Sequence, residues 1–267
     1  MKNPLIKRFP RELKSEIGKY LVIFLFIAGT ISIISGWNVA GNSMATAYDE
    51  SFEKYSIEDG NFELYSEADA SLISNLEKDG LNIYENFYIE RSTKENDSTV
   101  RVFHKSDKIN LECLMEGKFP SSGNEIAIDR MYADNNKLSV GDTLTFGDTE
   151  FTISGLVALS DYSALFSSPA DMMFDAVKFG VAVVTEECFD SLGENGLHYN
   201  YSWKYDQRPK DDAEAKNLSE DFLENLYEQS AMHENAVTEY IPEYTNQAII
   251  FTGDDIKGDS TFITIFM

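Results

Sequence analysis

The sequence is short of cysteine, histidine and basic charge. Two cysteines in 267 residues exclude a disulfide-rich scaffold and a cysteine-based zinc finger. The three histidines, His104, His198 and His233, have no neighbour at metal-ligand spacing and read as ordinary surface or strand residues. Lys plus Arg number 22 against 46 Asp plus Glu, a formal net charge of −24. That balance excludes nucleic acid as a partner, because phosphate contacts need clustered cations. The chain has no P-loop, no G-x-S-x-G and no H-E-x-x-H, so no ATPase, serine-hydrolase or zinc-protease machinery is expected in it. Acid pairs such as Asp254-Asp255 and Glu186-Glu187 lack calcium-loop spacing. No catalytic residue, metal or cofactor is therefore expected. Disorder is excluded as well, since 43% of residues are hydrophobic and 13% aromatic.

What is present is unevenly distributed. Residues 1–19 carry six basic and two acidic side chains. Removing that +4 from the total leaves −28 for the rest. Between the two parts, Tyr20–Tyr48 contains no charged residue. As a helix, Tyr20–Gly41 would be about 33 Å long, enough for a hydrocarbon core of roughly 30 Å. Tyr20 and Trp37 stand near its ends, where amphipathic rings favour the interface. The basic flank places the N-terminus in the cytoplasm and the acidic bulk on the other side of the membrane. A cleaved signal peptide is the competing reading, since Ala45-Thr46-Ala47 resembles a cleavage site. That site lies well beyond the most apolar stretch, which is itself longer than a usual signal core.

Within the span, Ala28, Ser32, Gly36 and Ala40 recur every fourth residue. They form a small-residue face that would let another membrane helix approach. Upstream, Leu5, Phe9, Leu13 and Ile17 repeat at helical spacing among basic residues, as in an interfacial amphipathic helix.

The remainder predicts an α+β architecture. Asn42–Tyr55 lacks Gly and Pro and continues the span as a stalk. A strand at Asn61–Tyr65 precedes a helix capped by Ser66, with Asp69 at capping-box spacing. Leu81–Arg91 and Ser98–His104 read as two strands. Glu125–Ile128 reads as a strand, followed by a short helix capped by Asp129. Thr143–Phe146 and Glu150–Val157 form a hairpin around Gly147-Asp148. Pro169 is expected to start a short helix and Val181–Val184 to form a strand. His198–Tyr205 alternates with its aromatics on one side, where cross-strand packing is the default role. A long helix opens at Asp211-Asp212, with Leu218, Phe222, Leu223, Leu226 and Tyr227 as its buried stripe. Val237–Ile241 is a last strand. Ser260–Met267 is an apolar run, read as the start of a second membrane span or as a docked strand.

Two further features stay open. Cys113 and Cys188 could pair outside the cell if their geometry allows it. In the loop Ser160–Ser168, Tyr162, Leu165 and Phe166 stand between serines, the pattern of a partner-contact tip; the alternative is that Leu165 and Phe166 fold back onto the domain.

One ordered succession of motifs goes further. It comprises Glu116-Gly117-Lys118-Phe119-Pro120, Asn124-Glu125-Ile126-Ala127-Ile128-Asp129, Val140-Gly141-Asp142-Thr143 and Phe151-Thr152-Ile153-Ser154-Gly155-Leu156-Val157. Over about forty residues it resembles the extracytoplasmic domain of FtsX-like/MacB-like ABC-transporter permeases. Lys118 stands where that family more often has Arg. The resemblance implies an N-terminal transmembrane helix followed by a mixed α/β extracytoplasmic domain of two lobes, of the MacB-like periplasmic core type. It implies a βαβ-containing lobe at 57–107 and 195–245, a smaller β-rich lobe at 108–194, and a lead-in to a second, truncated span at 246–267. It also implies a permease fragment rather than an enzyme. ATP hydrolysis would belong to a separate cytoplasmic ABC ATPase dimer, and a second permease copy or homologue would complete the membrane part. The exterior domain would act on a peptide, lipid, lipoprotein or partner protein. The alternative is a single-pass, membrane-anchored ligand-binding or sensor domain.

Overall fold

The computed structural model describes residues 14–266. Leu5, Phe9 and Leu13 lie outside the described residues, and with them most of the expected interfacial helix. The chain divides into two units, one of residues 1–48 with 255–267, the other Asp49–Asp254.

Helix α1 runs unbroken from Ile17 to Lys54. Its length and apolar composition suffice to cross a membrane. Large apolar side chains stand exposed along it, among them Leu21, Phe24, Phe26, Ile33 and Trp37. Two of its polar side chains are satisfied within the helix. Thr30 Oγ1 donates to the Phe26 carbonyl at 2.9 Å and Asn38 Nδ2 to that of Ile34 at 3.2 Å. Such back-bonding removes the cost of an unpaired polar group in an apolar setting.

The second unit is built on a mixed eleven-stranded sheet. The strands are β1 (Gly60–Leu64), β2 (Leu81–Glu85), β3 (Tyr88–Ser92), β4 (Thr99–His104), β5 (Cys113–Gly117), β6 (Glu125–Asp129), β7 (Thr143–Phe146), β8 (Thr149–Ala158), β9 (Phe179–Val184), β10 (Leu197–Tyr205) and β11 (Val237–Pro242). The order is β11-β1-β10-β3-β4-β9-β6-β8-β5, with β2 on β10 and β7 on β8. β4–β9 and β6–β8 are parallel and the other pairs antiparallel. The helices are α2 (Ala70–Leu76), α3 (Arg130–Asn136), α4 (Glu186–Ser191), α5 (Asp212–Met232) and α6 (Gln247–Phe266). An N-terminal apolar helix followed by a mixed α/β sheet domain is the fold class that the sequence implied.

Two apolar cores form on this sheet. Phe62, Leu72, Leu76, Tyr201, Trp203, Phe222 and Leu226 fill the smaller one, between β1, β10, α2 and α5. The larger one takes side chains from β3, β4, β6, β8 and β9, with Tyr132 of α3 and Phe189 of α4.

Several local expectations need correction. Asp69, not Ser66, caps α2, accepting from the Ser71 and Leu72 amides at 2.8 Å. The Leu81–Arg91 run is two strands. It follows β10 antiparallel and breaks at Asn86-Phe87, where Asn200 Nδ2 donates to the Asn86 carbonyl. Pro169 starts no helix. Asp171 Oδ2 instead gathers the Ser167 hydroxyl at 2.6 Å and the Ser168 amide at 2.9 Å into a turn. On α5, Phe222 and Leu226 are buried but Tyr227 is 54% exposed. Residues 260–266 are helical within α6, which removes the docked-strand reading.

Candidate functional site

The site begins where α1 ends. A helix leaves its last four carbonyls without intrahelical donors; here the following amides of Tyr55, Ser56 and Ile57 close those of Ser51, Glu53 and Phe52, and the domain holds the turn that comes next. The Leu111 amide donates to the Tyr55 carbonyl at 2.8 Å and the Asn110 amide to that of Ser56 at 3.0 Å. Lys204 Nζ, from β10, donates to the Ile57 carbonyl at 2.9 Å and to that of Phe52 at 3.4 Å. A cation there also complements the helix dipole. Phe52 is buried, and the Arg208 guanidinium lies 4.0 Å from the centre of its ring. Ser56 takes a positive φ of 51° to end the helix.

Next comes a pair of buried acids. Glu58, 1% exposed, accepts from Asn61 Nδ2 at 2.6 Å, from Asn110 Nδ2 at 2.8 Å and from the Ser202 hydroxyl. Asp161, 7% exposed, receives only a long 3.4 Å bond from the same Asn110 amide. Its Oδ1 has no hydrogen-bond partner. Burial, and then the neighbouring Glu58 charge, hold the Asp161 carboxyl well above the usual range. Burial raises Glu58 too, against the pull of its three donors.

Among the described residues, Arg101 is the only basic side chain lining this place, and it is already committed. Arg101 grips Glu90 through Nε at 3.1 Å and Nη2 at 2.7 Å. It donates to the Tyr162 hydroxyl at 2.8 Å and lies 4.1 Å from the centre of the Tyr88 ring. Desolvation pushes the phenol of the half-buried Tyr162 up to about 12.

These side chains enclose a polar cavity of about 120 Å³. Its walls come from β1, β3, β4, β10 and β11, from the loop Asp161–Pro169, and from Asn246 and Ala248 at the start of α6. The loop is tied to that start. Ser163 Oγ donates to the Ile249 carbonyl at 2.9 Å and the Ala164 amide to that of Ala248 at 3.2 Å. The cavity thus touches both Glu58, just after α1, and the first turn of α6.

The residues singled out from sequence fare differently. Leu165 and Phe166 are 1% and 5% exposed, so this loop presents no apolar tip. It folds back, and Phe166 packs between Phe174 and Phe251. Tyr162 is half-buried and becomes a cavity wall. On α1, Ala28 is half-buried, while Ser32, Gly36 and Ala40 are exposed. Among the described residues, no atom lies within 4 Å of where a Gly36 Cβ would stand. Gly36 and Ala40 line a groove with Trp37, Met44 and Asp255–Ile256. Cys113 and Cys188 are free thiols. His198 meets Glu63 at 3.0 Å and His233 meets Asp69 at 2.9 Å. Among the described residues no group of three His, Cys, Asp or Glu could hold a metal. Sequence reasoning missed Glu58, Arg101, Asn110 and Asp161. They belong to no motif, and only the fold brings them together.

The motif residues build a structural joint. Gly117 has φ +73°, and a Cβ on it would lie 2.9 Å from the Gly155 Cα. A Cβ on Gly155 would lie 2.5 Å from the Lys118 carbonyl oxygen. Lys118 Nζ pairs with Glu125 at 2.7 Å, and Glu125 also takes the Ser121 amide at 2.8 Å. These contacts pin the β5–β6 connection against β8.

No family model matches the chain, and no curated protein matches it. Solved structures do show similarity. One is the extracellular domain of the noncanonic ABC-type transporter YknZ from Gram-positive bacteria, at 12% identity and a TM-score of 0.36, covering 67% of this chain and all of that one. A putative lipoprotein from Bacillus anthracis gives 12% identity, a TM-score of 0.33 and coverage of 68% and 96%. The periplasmic region of MacB from Actinobacillus actinomycetemcomitans gives 9% identity, a TM-score of 0.33 and coverage of 67% and 88%.

Proposed function

We propose that this chain is part of an FtsX/MacB-type ABC-transporter permease. α1 crosses the bacterial membrane with its N-terminus in the cytoplasm, and residues 49–254 form the extracytoplasmic domain. Lobes at 57–107 with 195–245 and at 108–194, followed by a lead-in to a second span at 246–267, complete the layout. A separate cytoplasmic ATPase dimer hydrolyses ATP, and this chain transmits the resulting motion to peptide, lipid or lipoprotein substrates outside.

The observation that carries the reading is α1 itself. It is one uninterrupted helix from the apolar span to Lys54, and the carbonyls of Tyr55–Ile57 directly after it are held by Leu111, Asn110 and Lys204. A rigid element with a fixed attachment can carry displacement, whereas a flexible linker would absorb it. The motif succession within β5–β8 supports the same assignment.

The test is made on the protein reconstituted in lipid nanodiscs with the ATPase recovered alongside it from native membranes. Two glycines inserted between Ala45 and Thr46 should leave ATP hydrolysis intact and abolish nucleotide-dependent motion of labels on the exterior domain. Unchanged motion would remove the lever. Failure to recover any ATPase would favour a single-pass anchored binding domain, a reading to which the enclosed polar cavity lends its own support.

A further inference from the structure

The cavity near Glu58 and Asp161 has the composition of an amine site. Carboxyl groups and aromatic faces are the two surfaces that favour an organic cation. Glu58, Asp161 and Glu239 supply the first, and Tyr88, Phe103 and Tyr162 the second. Arg101 is the only basic side chain in the wall, and its charge is answered by Glu90 at 2.7 Å. The uncommitted charge is therefore acidic.

The two central acids are unequal. Glu58 has three donors on its two oxygens. Asp161 has one long contact on Oδ2 and none on Oδ1, although only 7% of it is exposed. A buried carboxyl short of donors is an unmet acceptor, costly to leave unpaired. Burial and the Glu58 charge hold its carboxyl well above the usual range, and a neighbouring ammonium would oppose that shift.

We propose that this cavity binds a small organic cation, a primary ammonium carried by a body of a few heavy atoms, with Asp161 as its main counter-ion. The volume of about 120 Å³ sets that size, being close to that of cavities that take a single benzene ring. The aromatic walls face the methylene body and the Asn61, Asn86 and Asn200 side chains serve the polar end. An occupant would touch Glu58, next to the end of α1, and Asn246, at the start of α6. Binding would thereby stiffen both attachments. The proposal does not depend on the permease reading.

The experiment is calorimetric titration of the whole chain in nanodiscs with propylammonium chloride. Sodium propionate and 1-propanol serve as the anionic and neutral isosteres at equal ionic strength. One propylammonium should bind per chain, at least about tenfold tighter than either isostere, as expected for a desolvated charge pair. Asp161→Asn should weaken it by about tenfold or more, and the exposed Asp107→Asn should leave it unchanged. Equal binding of propionate or propanol would overturn the proposal, as would undiminished binding by a folded Asp161→Asn protein. If that variant does not fold, the comparison of the three probes on the unaltered chain decides alone. No propylammonium binding there is a refutation.

Discussion

Lys204 Nζ lies 2.9 Å from the Ile57 carbonyl oxygen, three residues past the last residue of α1. One side chain from the middle of the sheet thus closes the end of the helix that the sequence assigns to the membrane. Burial pulls the ammonium below the usual lysine range, and Asp59 partly restores it. The half-buried cation serves the Ile57 carbonyl first; the Phe52 carbonyl, which it reaches at 3.4 Å, also accepts the Ile57 amide at 2.9 Å.

Lys204→Met keeps the stem and removes the charge. It should cost about 1–2 kcal/mol, the worth of a charged hydrogen bond at a helix terminus. The unfolding midpoint should fall by roughly 2–4 °C per kcal/mol. Amide exchange at Tyr55–Ile57 should accelerate more than exchange within β4 or β9. Equal acceleration everywhere would mean a general loss of stability and no local clamp.

His198 and Glu63 form a pH-dependent pair. The hydrogen bond that His198 donates to Glu63 raises the imidazole above its ordinary value. Glu63 is lowered although burial opposes it, because His198 and Tyr88 both donate to it. The folded-state value of His198 lies above its unfolded one. Its contribution is therefore complete below about pH 6.5 and is lost as pH rises through the raised midpoint. In an NMR titration His198 should protonate at higher pH than in an unfolded peptide, and Glu63→Gln should bring its midpoint down. An unmoved midpoint would dissolve the pair.

The motif glycines make a third prediction. Gly155→Ala places a methyl group against the Lys118 carbonyl oxygen at 2.5 Å, and backbone cannot yield as a side-chain tip can. We expect a loss of about 2–4 kcal/mol in urea unfolding, in the range of severe backbone effects. Gly123→Ala, where a Cβ meets no atom within 4 Å, should be near neutral. If both behave alike, the joint between β5 and β8 is looser than its geometry states.

Local chemistry was legible in the sequence wherever cause and effect are neighbours. Gly147-Asp148 announced the β7–β8 hairpin, and Asp129 announced α3, accepting from the Met131 and Tyr132 amides. The uncharged run announced α1. Legibility failed where a distant residue decides the outcome. The break between β2 and β3 depends on Asn200 of β10. The choice of Asp69 over Ser66 accompanies contacts from afar, since Asn235 Oδ1 takes the Ser66 amide and His233 meets Asp69. Glu58 and Asp161 showed no periodicity or motif at all. Only the shared Asn110 amide joins them.

The loop Ser160–Ser168 shows the same limit and gives the last prediction. Its serines suggested a surface, and surface apolar residues suggest a partner. Yet the Ser163 hydroxyl is spent on the Ile249 carbonyl, and that bond draws the loop inward. Leu165 then packs into the larger core. Leu165→Ala should consequently cost about 2–5 kcal/mol, the range for a buried leucine truncated to a cavity. A contact tip would behave in the opposite way, with stability unchanged and only association weakened. Urea unfolding of the variant separates the two. A midpoint equal to that of the unaltered chain would return Leu165 to the surface, and a large fall would establish it as core.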